Sequence, residues 1–146
     1  MIGRVIGIDY GAKRVGIAVS DDAQLFAFAK EVWVNDDALV EKVAELAQRE
    51  GAEKIVVGES DNPMGGENAI MHRIAIFSRA LEVRTELPIE QMSEVYSSAE
   101  ARRALETKVK TRKNKKVDVD AAAAAIILQS YLDRQRQELK ESTNNE

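Results

Sequence analysis

Arg4-Val-Ile-Gly-Ile-Asp9, Tyr10-Gly-Ala-Lys-Arg14 and Val15-Gly-Ile-Ala-Val19 follow one another without a break near the start of the chain. Two β-branched apolar runs joined by a short, glycine-containing turn predict a β-hairpin. The hairpin places a carboxylate, Asp9, at the end of its first strand and two cations, Lys13 and Arg14, in its turn. Aspartate is depleted in strands, and partial burial of its charge is costly unless something compensates it. A divalent metal or a phosphate-bearing ligand does so.

Reading on from the hairpin, Phe26 to Val34 predicts a third strand. From Asp36 the period changes: Leu39, Val40, Val43, Leu46 and Ala47 recur at helical spacing, with Asn35 or Asp36 as cap and Gly51 as stop. Lys54 to Gly58 is a short Ile-Val-Val strand without polar alternation, expected inside the sheet and buried on both faces. The turn-rich stretch from Glu59 to Gly66 leads to a helix with Ile70, Ile74, Phe77 and Leu81 on one stripe. Pro88 to Met92 reads as a weaker strand, and Ser97-Ser-Ala-Glu100 as a capping box opening a short helix to about Leu105. Asp120 then heads an alanine-rich helix through Leu132. Three strands in succession, then alternating helices and strands, predict an α/β fold whose mixed sheet is antiparallel on one side and parallel on the other, with helices on both faces. One domain over residues 1–141, with residues 142–146 as a frayed tail, fits the 146-residue length.

Composition removes several chemistries. The chain has no cysteine, so thiol nucleophiles, disulfides and Cys-ligated zinc are excluded. No apolar run approaches the roughly 20 residues of a membrane helix, and the opening residues do not resemble a signal peptide. A soluble, cytoplasmic protein without membrane partners is expected. The formal charge of −4 is unevenly spread. Lys108, Lys110, Arg112, Lys113, Lys115 and Lys116 put +6 into one acid-free segment and leave −10 for the rest. Local potential governs phosphate contacts, so this segment is a candidate nucleic-acid contact, although a solvated loop has the same composition.

Three carboxylates occupy comparable junctions: Asp9 at the end of the first strand, Glu94 after a late strand, and Asp120 at the start of the last helix. Converging strand ends would let them hold Mg²⁺ or Mn²⁺ through oxygen ligands, with activation of water at a phosphodiester. Taken singly, Asp120 also suits a helix cap and Glu94 an exposed loop. His72 has no partner at metal-ligand spacing and is expected at the surface; Trp33 and Tyr131 are expected to pack in the core.

Gly7-Ile-Asp9-Tyr-Gly11-Ala-Lys-Arg-Val-Gly16 and Val119-Asp120-Ala-Ala-Ala-Ala-Ala-Ile-Ile-Leu-Gln-Ser-Tyr-Leu132, with Lys54-Ile-Val-Val-Gly58 and Ser97-Ser-Ala-Glu-Ala-Arg102 between them, resemble the YqgF/RuvX family of RNase H-like nucleases. The resemblance implies an RNase H-like fold and metal-dependent hydrolysis of phosphodiesters, described for the family as 5′-end maturation of pre-16S rRNA and earlier as Holliday junction resolution. It matches Asp9, Glu94 and Asp120 to the family's acidic residues. Ser93-Glu94-Val95 stands where the family carries Asp-Glu-Arg, and Gly58-Glu-Ser-Asp-Asn-Pro-Met-Gly65 replaces a less acidic loop. The expected protein is thus a nuclease of structured RNA, a monomer or weak homodimer, with Lys13, Arg14 and the 108–116 segment on the strand. A DNA junction resolvase and a non-catalytic RNA-binding module of the same fold are the alternatives. An ATP-binding domain of the actin and Hsp70 type is too long to fit.

Overall fold

The computed structural model of the chain describes residues 3–58, 67–92 and 119–144. Its elements run β1 (Arg4–Asp9), β2 (Arg14–Ser20), β3 (Ala27–Val34), α1 (Leu39–Glu50), β4 (Ala52–Gly58), α2 (Glu67–Thr85), β5 (Ile89–Met92) and α3 (Val119–Asn144). They form one sheet in the order β3-β2-β1-β4-β5. β1 pairs antiparallel with β2, and β2 with β3; β4 pairs parallel with β1, and β5 with β4. This is the mixed sheet expected from three consecutive strands followed by helix-linked ones, and β1, β4 and β5 therefore end on the same side.

Alternation along the strands sends side chains to two cores. Ile6, Ile8, Val15, Ile17, Ile55 and Val57 pack beneath α1 and α2, whose Val43, Leu46, Ile74, Phe77 and Leu81 close that layer. Val5, Ala18, Ala27, Ala29, Val56 and Met92 face the other way, against Ala121 to Leu132 of α3. Alanines give α3 a flat side, so it lies close to the sheet over β1, β2 and β3. Trp33 packs against the α1 layer, and Tyr131 is buried under α3. His72 is exposed, as its isolation in the sequence implies.

Local signals and structure differ at the start of α1. α1 begins after Ala38 with no side-chain cap. The Asn35 amide instead donates to the Gly11 carbonyl (2.7 Å), while the Asp36 carboxylate accepts from the Ala38 N–H (3.0 Å), two residues ahead of the cap position. At its other end α1 stops as predicted, with Gly51 left-handed at φ 64°. α3 runs through Asn144, and neither glycine nor proline interrupts it. The loop from Glu59 to Gly66, the side chain of Ile70, the expected capping box and the helix to Leu105 lie outside the described residues.

Candidate active site at the strand ends

Register and pleat fix where Asp9 looks. Ile6, Ile8 and Tyr10 belong to the α1/α2 layer, so Asp9, in phase with Val5 and Gly7, is on the α3 face. It is only 8% exposed. Its partners in the two neighbouring strands are both glycines, Gly16 in β2 and Gly58 in β4. One row across the α3 face therefore reads Val32, Gly16, Asp9, Gly58, Met92. A carboxylate flanked by two residues without side chains stands in a shallow trough, closed over Gly58 by Ile127 of α3.

The depth of the trough is held from below and behind. The Tyr10 N–H donates to the Gly58 carbonyl at 2.8 Å, prolonging the β1–β4 ladder one residue past Asp9. The Tyr10 ring sits 5.0 Å from the ring of Phe77 in α2. In the turn, a Cβ on Gly11 would lie 2.5 Å from the Arg14 carbonyl oxygen, a close approach that only glycine permits. Asn35 locks that turn to the end of β3 through the Gly11 and Lys13 carbonyls, at 2.7 and 2.9 Å. Lys13 and Arg14 are thus exposed cations on a fixed turn. Arg14 opens β2, two residues before Gly16, and so shares the face of Asp9 one diagonal step away.

α3 supplies the wall. Its Ala124 carbonyl and Leu128 side chain lie over Gly7, Ile127 lies over Gly58, and Gln129 reaches the β2–β3 turn. Further along, the Tyr131 hydroxyl meets the Lys54 ammonium at the start of β4. The helix consequently runs antiparallel to β1. Asp9 is two strand residues beyond Gly7, about 7 Å; Asp120 is four helical residues before Ala124, about 6 Å. The first turn of α3, which contains Asp120, therefore points toward the C-terminal ends of β1 and β4, and the Asp120 side chain lies outside the described residues. Met92 ends β5 in the same row, and Glu94, two residues on, lies outside the described residues together with Lys108, Lys110, Arg112, Lys113, Lys115 and Lys116. Among the described residues no three His, Cys, Asp or Glu side chains cluster as a metal site. None of the described helices is long and apolar enough to cross a membrane.

Gly16 and Gly58 are site residues that composition alone passes over. Their signal is positional: each falls opposite Asp9 once the strands are paired, a register that depends on tertiary contacts.

A family model described as "Holliday junction resolvase" matches residues 3–134. The chain belongs to the RuvX family. Among curated RuvX relatives, one from Maridesulfovibrio salexigens is 34% identical over 133 residues, covering 90% of this chain and 98% of its own. Another, from Bacteroides thetaiotaomicron, is 39% identical over 139 residues, covering 91% and 98%. Both bear the name "Putative pre-16S rRNA nuclease". Solved structures place the RuvX chain on the RNase H-like fold: Thermus thermophilus RuvC in complex with Holliday junction substrate superposes with a TM-score of 0.66 at 18% identity, over 92% of this chain and 96% of RuvC. The fowlpox virus resolvase in its Holliday junction complex does so at 0.55 and 14%, over 90% and 98%.

Proposed function

We propose that this RuvX-family chain is a divalent-metal-dependent nuclease of structured RNA, acting in the 5′-end maturation of pre-16S rRNA. The observation that carries the reading is the buried carboxylate of Asp9, set between Gly16 and Gly58 on the α3 face of the sheet. Divalent cations take carboxylate oxygens as ligands.

The donor set is all oxygen, which suits Mg²⁺ or Mn²⁺, and Asp9, Glu94 and Asp120 are the residues that would hold it. When bound, such an ion lowers the pKa of water and neutralises charge on the scissile phosphate. Asp9 is held rigid by the β1–β4 ladder and by Tyr10, Arg14 neutralises a phosphate next to the trough, and α3 shields one side from bulk water. The six cations of the 108–116 segment hold the strand. With no cysteine in the chain, hydrolysis by activated water requires no side-chain nucleophile. The names of the RuvX relatives support RNA as the polymer; the family description supports branched DNA. Phosphate contacts do not separate the two.

The deciding experiment compares cleavage of a pre-16S rRNA leader and a four-way DNA junction, with Mn²⁺ and with EDTA, by wild type and by Asp9→Asn, Glu94→Gln and Asp120→Asn. Metal-dependent cleavage of the RNA, lost in each variant, is expected. Cleavage of the junction alone would make the protein a resolvase. Binding of RNA without metal-dependent cleavage would make it a non-catalytic module.

A further inference from the structure

The turn between β1 and β2 is held by a residue that belongs to neither strand. Asn35 follows Val34 at the end of β3, and the pairing of Arg14 with Val34 puts Asn35 opposite Lys13. Its backbone N–H donates to the Lys13 carbonyl at 2.9 Å, a rung that any residue except proline would make. Its side-chain amide adds a second bond, to the Gly11 carbonyl at 2.7 Å, which only a side-chain donor supplies. One half-buried residue thus clasps both ends of the exposed Ala12–Lys13 tip. Glycine has the widest backbone freedom of any residue, so the Gly11 carbonyl gains most from an anchor. Asp9 stands two residues before Gly11, on the strand end that the Tyr10 N–H fixes to β4. The clasp therefore fixes the backbone of Lys13 relative to Asp9, across the glycine between them.

We infer that Asn35 is a positioning residue for the substrate strand: it touches no phosphate itself and holds the β1–β2 turn so that the Lys13 ammonium meets a backbone phosphate beside Asp9. The inference rests on the nuclease reading of Asp9 and adds the residue that sets where the strand is gripped. Lysine is a point charge on a flexible stem, so the place at which it works is set by its backbone. A turn locked before binding has little freedom left to lose when the phosphate arrives, and the saving shows as affinity. An unlocked turn has to be ordered by the substrate. Asn35 therefore acts on binding and leaves the bond-breaking step at the carboxylates alone.

The test uses the full chain and two readouts: binding of a labelled fragment of a pre-16S rRNA leader in EDTA across a salt series, and steady-state cleavage with Mn²⁺. Asn35→Ala removes the side-chain bond and keeps the backbone one, and circular dichroism at the assay temperature checks that the variant is folded. Expected is roughly fivefold weaker binding, the worth of one hydrogen bond. KM should rise in step while kcat stays within about twofold. Lys13→Met should weaken binding and lower the slope of log K against log salt by about 0.7. Asn35→Ala should lower the slope in the same direction, and should weaken binding no further once Lys13 is methionine. Equal weakening by Asn35→Ala in both backgrounds, or an unchanged slope, overturns the positioning role. So does unaltered binding by Lys13→Met, a change at an exposed residue that the fold tolerates. Metal-dependent, Asp9-dependent cleavage together with such a negative result leaves the nuclease standing and removes the role of Asn35 alone. Coupling of Asn35 to Lys13 in binding without any cleavage removes the nuclease and keeps Asn35 as the positioning residue of a non-catalytic binder.

Discussion

A Cβ placed on Gly7 would come within 2.6 Å of the Cβ of Leu128, so the bare backbone of β1 is what lets α3 lie directly on the sheet. Gly7→Ala should force the helix outward and cost about 1–3 kcal/mol, the usual range for overpacking. Denaturant midpoints measure it. Leu128→Ala alone leaves a cavity costing roughly 2–5 kcal/mol, but alanine keeps the Cβ that meets Gly7, so the double variant should not recover the cost of Gly7→Ala. A full recovery would show that the Leu128 Cβ is not what excludes a side chain at Gly7.

Asp9→Asn should lower cleavage by more than about a hundredfold, since even the partners of metal ligands matter at the level of ten- to a hundredfold. Its folding should stay nearly intact, because asparagine keeps the shape of the side chain. Thermal unfolding in EDTA tests the second half, and a large fall in Tm would make Asp9 a structural residue.

Ser78 is buried in α2, and its hydroxyl has no hydrogen-bond partner among the described residues. An unsatisfied buried hydroxyl costs about 1–3 kcal/mol. Ser78→Ala should therefore stabilise the protein by about 1 kcal/mol without altering cleavage, a rise readable in urea unfolding.

Asp21 tightens the β2–β3 turn by accepting from the Leu25 and Phe26 N–H groups, at 2.8 and 2.9 Å. Burial pushes its pKa up, but these backbone donors outweigh it and leave the carboxyl below its ordinary value. Glu50 is lowered likewise: burial acts against it, and Lys30 and Arg4 prevail. A carboxyl whose folded pKa is depressed stabilises above its unfolded pKa, and that stability is lost as pH falls through the folded value. The protein should thus weaken on acidification below about pH 4, and Asp21→Asn should flatten that dependence. An unchanged acid limb in the variant would count against the turn contacts.

Neutralising Lys113, Lys115 and Lys116 should reduce the slope of log K for RNA against log salt by about 2, at roughly 0.7 per phosphate contact on a single strand. An unaltered slope would remove that segment from the interface.

Much of the architecture was legible in the chain. The run from Arg4 to Val19 marks the hairpin, the helical period from Leu39 to Ala47 marks α1, and the polar-free Ile55-Val56-Val57 marks an interior strand, because these are local periodicities that each segment carries in itself. Asp9 stood out for the same reason, as a charge closing an apolar strand. Caps were less legible: Asn35 has the chemistry to begin α1, yet the Gly11 carbonyl takes its amide, a competition between elements that no local window contains.

Composition and periodicity alone determined the order of strands and helices, the absence of thiol chemistry and the acid most in need of a counter-charge. Only the tertiary structure decided that Asp9 faces α3, that Gly16 and Gly58 flank it, and that Ile127 of α3 covers Gly58. The reason is physical. Side-chain direction within a strand follows from the local pleat, whereas which residues stand beside it depends on register, and register is set by how α3 packs over Gly7 and how β4 returns beside β1.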